Sequence, residues 1–220
     1  MIKVGNAEYK NAMDFPDALP IMIKESLLIL PKTYVPLLIE DSAYIKLAED
    51  VLNNGKLIGI LQTKTPRSND LYTIGCIARL TSFSEVGDNK VSLSLEGVCR
   101  FRCIKELETS KPYRSFMITP LQKDFVATPS EIHNKYKGRI LEYLEASGML
   151  TTAEDKILEQ AIINMTDISF DTLINSLCIN ADLSSAEQQL LLEAEDTETR
   201  ANLLLSLSKG QYQKKHCTLQ

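Results

Sequence analysis

Between Leu71 and Leu121 apolar and polar residues alternate with period two, the pattern of strands with one face on a core and the other in water. Val91, Leu93 and Leu95 alternate with Ser92 and Ser94. Past Gly97, Cys99, Phe101 and Cys103 fall on one side and Arg100 and Arg102 on the other. This spacing predicts two antiparallel strands joined or bent at Gly97. Upstream, Tyr72, Ile74, Cys76 and Ala78 share one parity, and Thr73, Gly75, Ile77 and Arg79 share the other. Gly87-Asp88-Asn89 holds residues that tolerate positive φ and predicts a hairpin turn into the strand at Val91. A last strand is predicted between Tyr113 and Leu121.

Ahead of this stretch three short apolar runs, residues 19–23, 27–31 and 34–39, are punctuated by Pro20, Pro31 and Pro36. Prolines at these places suit strand ends and break any continuous helix, so three strands are expected. A helix follows, capped by Asp41 or Ser42, because Tyr44, Leu47, Ala48, Val51 and Leu52 recur at the spacing of one buried face. Gly55 is placed to end it, residues 57–61 read as a buried strand, and residues 63–70 read as a loop. A strand-rich chain with one short helix fits a curled sheet or a small barrel.

After Thr128 the period changes. Thr128-Pro129-Ser130-Glu131, Thr151-Thr152-Ala153-Glu154 and Ser184-Ser185-Ala186-Glu187 are helix-start signals, each ahead of an apolar series. Ile157, Leu158, Ala161 and Ile162 form one stripe, and Phe170, Leu173, Ile174, Leu177 and Cys178 another. A final helix capped by Asp196 carries Leu203, Leu204 and Leu207. The fold class is therefore α+β: an N-terminal sheet or barrel with one short helix, then an all-α bundle of about five helices. The expected divisions are a flexible lead-in over residues 1–17, the sheet domain over 18–125, the bundle over 128–210 and a polar tail over 211–220.

Charge sharpens this division. The formal net charge is -5. Residues 1–129 carry 16 Lys+Arg and 15 Asp+Glu, a balance of +1, whereas residues 130–220 carry 8 and 14, a balance of -6. Phosphate backbones are bound chiefly by lysine and arginine, so nucleic acid is disfavoured as a partner. The five cysteines, Cys76, Cys99, Cys103, Cys178 and Cys217, are odd in number and mostly embedded in apolar patterns. That usage predicts reduced, buried thiols in a cytoplasmic protein. No leader pattern is visible at the N-terminus. The most apolar stretch, residues 27–39, is broken by Pro31, Lys32 and Pro36, so no membrane span is expected.

Five segments carry a family resemblance: Leu19-Pro20-Ile21; Pro36-Leu37-Leu38-Ile39-Glu40 leading into a helix; Tyr72 to Leu80; Glu96 to Arg102; and Pro112-Tyr113. Glu187 to Glu193 and Asp196 to Arg200 continue it through the helical half. Together they resemble the N-terminal substrate-binding domain of Lon proteases over nearly the whole chain. The chain departs from that pattern at Met22-Ile23 and at Asp41-Ser42-Ala43-Tyr44. No Gly-x-x-x-x-Gly-Lys-Ser/Thr phosphate loop occurs, so the resemblance is to a free-standing domain without the ATPase and protease modules. It implies a small PUA-like barrel followed by a helical bundle. It also implies a non-catalytic function, the binding of unfolded or exposed apolar segments of client proteins.

The sequence carries few other chemical signals. His133 and His216 are the only histidines, and Cys99-x-x-x-Cys103 has no second ligand pair beside it, so neither a metal nor a cofactor is expected. Cys178 with His133 is the one cysteine–histidine pairing weighed for a cysteine-dependent hydrolase, and nothing around either marks an activated thiolate. Arg100 and Arg102 on one strand face are the basis of an alternative RNA-binding reading, against the simpler expectation of a solvated, charged face. Glu193, Glu195, Asp196 and Glu198 read as helix surface and cap. The residues of a peptide-binding groove are not separable from the core by pattern alone.

Overall fold

A computed structural model describes residues 2–3, 9–66, 69–87, 89–147 and 168–217. Seven strands form one sheet: β1 (Ile2–Lys3), β2 (Ala18–Ile23), β3 (Tyr34–Ile39), β4 (Leu57–Leu61), β5 (Ile74–Gly87), β6 (Lys90–Leu107) and β7 (Arg114–Pro120). The helices are α1 (Ser42–Asn53), α2 (Ser130–Ser147), α3 (Phe170–Asn180), α4 (Ser185–Glu193) and α5 (Thr197–Cys217).

Strand order is β1-β5-β4-β2-β7-β6-β3, and β5 also pairs with β6. Five strands, β5, β4, β2, β7 and β6, thus form a closed circuit, with β1 and β3 at its margins. The β2–β4 pair is parallel and every other pair antiparallel. Each circuit strand gives side chains to one apolar cluster: Leu19 and Ile21, Leu57 and Leu61, Ile77, Cys99 and Phe101, Phe116 and Ile118. A larger cluster joins the other faces to α1 and to the helical half through Ile60, Cys76, Ala78, Leu80, Leu93, Leu95, Leu173, Leu191 and Leu204, among others. Closure on both sides removes most open strand edges. The exposed edge strand β3 carries Pro36, which has no N–H to offer a further strand, and the Tyr34 hydroxyl donates to Glu96 at 3.0 Å.

Glu96 to Arg102 lies within one continuous strand rather than two. Ile77 pairs with Cys99 and Ala78 with Gly97, so Val98 is an extra residue, a β-bulge. Its consequence runs through the whole molecule. Before the bulge the odd residues Val91, Leu93 and Leu95 face the larger cluster; after it the odd residues Cys99 and Phe101 face the smaller one. The strand has turned over, as a one-residue slip requires.

Three other expectations are corrected. Residues 27–31 form no strand; Leu28, Ile29 and Leu30 are buried in an irregular segment entered and left at positive φ, at Ser26 (62°) and Lys32 (64°). The lead-in is more than a free tail: β1 pairs with β5, Asn11 caps a turn at Ala12–Asp14, and Phe15 is buried in the smaller cluster. A single aromatic among polar residues has no periodicity, so pattern reading passes over it. The last helix runs on to Cys217, past the end of its apolar series, through Gln and Lys residues of good helix propensity.

The helix at Ser42–Asn53 is capped by Asp41, whose side chain accepts from the Ala43 amide, and Gly55 takes φ 75° just beyond it. Ser184 and Glu187 form the expected capping box. The second helix begins at Ser130, but the Thr128 hydroxyl donates to Asp171 at 2.6 Å instead of capping its own helix. The box at Thr151–Glu154 and the stripe Ile157–Ile162 lie outside the described residues, as does Asp88 of the hairpin turn. In the bundle α5 contacts α2, α3 and α4, and α4 lies against β5.

Candidate functional site

The sheet and the bundle meet along a seam crossed by residues 121–129. Because of the bulge at Val98, Arg100 points into this seam rather than into solvent and is 2% exposed. Asp124, on the 3₁₀ turn Gln122–Phe125, accepts from the Arg100 backbone amide at 2.6 Å, from Nε at 2.9 Å and from Nη2 at 2.7 Å. The same guanidinium donates to the backbone carbonyls of Leu192 (2.9 Å), Ala194 and Glu195 (3.4 Å). These carbonyls end α4, so Arg100 acts as a C-terminal cap supplied by the sheet. The reading of Arg100 and Arg102 as one solvated face therefore holds only for Arg102, which is exposed.

Beside this clamp lies a cleft of about 560 Å³, within the usual range of ligand pockets of roughly 300–1,000 Å³. One wall is apolar: Phe125, Val126, Ala127, Pro129 and Ile132; Tyr9 and Pro31 also line the cleft. Val126, in this apolar lining, is 70% exposed. The other wall is polar, with Asp171, Asn175, Asp196, Thr197 and Arg200. Pro31 belongs to the irregular segment, and its carbonyl accepts from Asn175 Nδ2 at 2.9 Å, which ties that segment to α3.

The carboxylates here have partners. Asp171 accepts from the Thr128 and Thr197 hydroxyls. Burial alone would raise its carboxyl, but these hydrogen bonds together with that of the Thr128 amide hold it below the usual aspartate value. Asp196 caps α5 through the Thr199 amide at 2.8 Å, and that bond is the main reason its carboxyl is lowered. Glu198 accepts from Lys135 and Tyr136, Glu195 from Lys123, and Glu193 from Gln189. All four acids weighed in the sequence are thus cap or helix surface, and none forms an acid–base pair.

The thiols are not activated. Burial pushes Cys178 and Cys99 up to about 12 and Cys103 up to about 11, and drives Cys76 well above the ordinary thiol value. Cys99 lies in the smaller cluster, and Cys103 packs against it, so the two cysteines share a core face. His133 is 5% exposed, packs on Phe170 at 5.7 Å between ring centroids, and is held below the usual imidazole value by burial. It faces Phe170, not a cysteine. No group of three potential metal ligands converges among the described residues, and none of the described helices is long and apolar enough to cross a membrane. The side chains of His216 and Cys217 lie outside the described residues.

Pattern reading missed Val126 and Arg200. An exposed valine inside a linker and an arginine on the inner face of a helix are both local oddities, but only the fold puts residues 9, 31, 100, 123–132 and 171–200 around one cleft.

The architecture is that of the N-terminal domains of Lon proteases. It superposes on the N-terminal domain of a Mycobacterium avium complex Lon protease with a TM-score of 0.68 and 17% identity, covering 87% of this chain and 98% of that one. A Lon N-terminal domain protein from Xanthomonas campestris gives a TM-score of 0.61 and 18% identity, covering 86% and 97%. Residues 18–209 match the family described as the ATP-dependent protease La (LON) substrate-binding domain, and the chain belongs to that family. Among full-length relatives, Lon protease of Dictyoglomus thermophilum is 27% identical over 198 residues and that of Parabacteroides distasonis 28% over 205. These matches cover 88% and 90% of this chain but 24% of each relative, so the chain spans about a quarter of their length.

Proposed function

We propose that this chain is a non-catalytic polypeptide-binding module that holds an extended apolar segment of a client protein in the cleft at the seam, and that the closed strand circuit is a small PUA-like barrel serving as its rigid support. The observation that carries the reading is the apolar wall from Phe125 to Ile132, with Val126 left 70% exposed beside a cleft of about 560 Å³. Such a wall gains free energy by removing a client's large side chains from water without demanding one sequence, which gives broad specificity. Membership of the substrate-binding domain family supports the same direction. The raised thiols and the capped carboxylates supply neither an activated nucleophile nor an acid–base pair, in keeping with binding alone.

The reading is tested by fluorescence anisotropy of a labelled, unstructured apolar polypeptide titrated with the full chain. Saturable binding is expected, weakened about tenfold by the pair Val126→Ser and Ile132→Ser, a loss of about 1.4 kcal/mol. A second pair, Tyr34→Ser and Leu38→Ser, removes the exposed apolar side chains of β3 and is expected to leave binding unchanged. Loss in the β3 pair instead would move the site to the sheet edge, and no binding in any form would remove the function.

A further inference from the structure

The polar wall of the cleft holds a buried guanidinium that forms no ion pair among the described residues. Arg200, in the first turn of α5, is 2% exposed. Its Nε donates to the Leu191 carbonyl at 2.9 Å and its Nη1 to Asn175 Oδ1 at 2.8 Å, both neutral acceptors, while Nη2 has no partner among the described residues. The nearby Asp124 is taken up by Arg100, a second guanidinium 2% exposed on the same cleft. Asp171, Asp196 and Glu198 are each engaged by donors other than Arg200. Burial first, and repulsion from Arg100 second, bring the Arg200 guanidinium down to about 10; Asp124 and Asp196 act on it at longer range but neither hydrogen-bonds to it. A buried charge left unpaired is costly, and burying it beside another of the same sign is more so.

The surrounding backbone adds to the positive field. The N-terminal ends of α2, α3 and α5 all border the cleft, through Pro129 and Ile132, Asp171 and Asn175, and Thr197 and Glu198. Helix N-termini carry partial positive charge and favour anions. Lys32, exposed at the end of the irregular segment, also lines the cleft. Three helix ends, two guanidinium groups and three lysines, Lys10, Lys32 and Lys123, therefore line a cavity whose own carboxylates already have donors.

We propose that Arg200 is the seat for the C-terminal carboxylate of a bound client segment, whose last apolar side chains lie against Val126, Pro129 and Ile132. The proposal rests on the cleft being the peptide site and adds which end of the client it takes. A chain end is favoured over a side-chain carboxylate because Arg200 lies deep. A terminus reaches the floor with one arm of backbone behind it, whereas a mid-chain residue must bring both flanking arms through the same mouth. A carboxylate there completes the guanidinium's hydrogen bonding as a charge-assisted pair.

The test uses three labelled peptides with the same apolar C-terminal sequence: a free acid, its C-terminal amide, and the amide carrying a mid-chain glutamate. With the full chain, the free acid is expected to bind about tenfold more tightly than either amide. Arg200→Gln is expected to bring the free acid down to the affinity of the amide, and Arg200→Lys to keep part of the difference. Equal affinity of free acid and amide for the unaltered chain would overturn the inference while leaving the cleft as the peptide site. Binding of none of the three would remove both. Equality of the free acid and the mid-chain glutamate peptide would overturn the choice of the chain end. Because the acid–amide comparison needs no variant, a failure of Arg200→Gln to fold does not affect it.

Discussion

Arg100→Met is expected to destabilise the chain by about 3–5 kcal/mol, the range for breaking a buried ion pair by removing one partner. The two side chains of the Arg100–Asp124 pair are 2% and 6% exposed. Methionine fills much of the volume, but it leaves the Asp124 carboxylate buried with only the backbone amide of residue 100 as donor, and it strips Leu192, Ala194 and Glu195 of theirs. Each carbonyl left without a partner adds its own desolvation cost. Because the clamp joins the sheet to the end of α4, the loss reaches both halves. The double variant Arg100→Met with Asp124→Leu recovers a large part of the loss, since replacing a whole buried pair by apolar residues is often neutral. The chain has no tryptophan, so the urea transition is followed by far-UV circular dichroism. A loss under about 1 kcal/mol for Arg100→Met would mean that the clamp is not what joins the two halves.

Gly97→Ala is the second large effect, at about 3 kcal/mol, the upper end of what overpacking costs. A Cβ at residue 97 would overlap the Leu30 carbonyl oxygen and stand 2.7 Å from its carbon and 2.9 Å from Ile29 Cγ2. The carbonyl cannot retreat cheaply. Leu30 is fully buried, and the segment is laced to β6 by Lys32 N to Gly97 O and Gly97 N to Thr33 O, both 2.8 Å. The contrasting substitution is Gly138→Ala in α2, where nothing lies within 4 Å of the added carbon and helix propensity favours alanine by up to about 1 kcal/mol. Opposite signs for the two substitutions in thermal or urea unfolding are the expected result. A neutral Gly97→Ala would show that the buried segment at Leu28–Leu30 yields.

The strand periods, the helix at Ser42–Asn53 and the cap at Ser184 were legible because each is a local pattern governed by local rules. The bulge at Val98 was not. Alternation by parity looks the same before and after an inserted residue, and Gly97 is the one local sign of a bend there. That single miss decided where Arg100 was expected, since turning the strand over moves the residue from a solvated face to the centre of the seam. The run Leu27–Pro31 was apolar enough for a strand, but its burial comes from lying across β6, a tertiary fact with no period of its own. The cleft was illegible for a third reason: its walls come from six separate parts of the chain, and its charge balance depends on which carboxylates the fold has already paired.

The most direct measurement of the central claim is backbone amide hydrogen exchange on the full chain, with and without a saturating unstructured apolar polypeptide. Binding at the seam predicts slower exchange over residues 123–132 and around residue 32, with β3 unchanged. Slowing confined to residues 34–39, or none anywhere under saturating polypeptide, would contradict it.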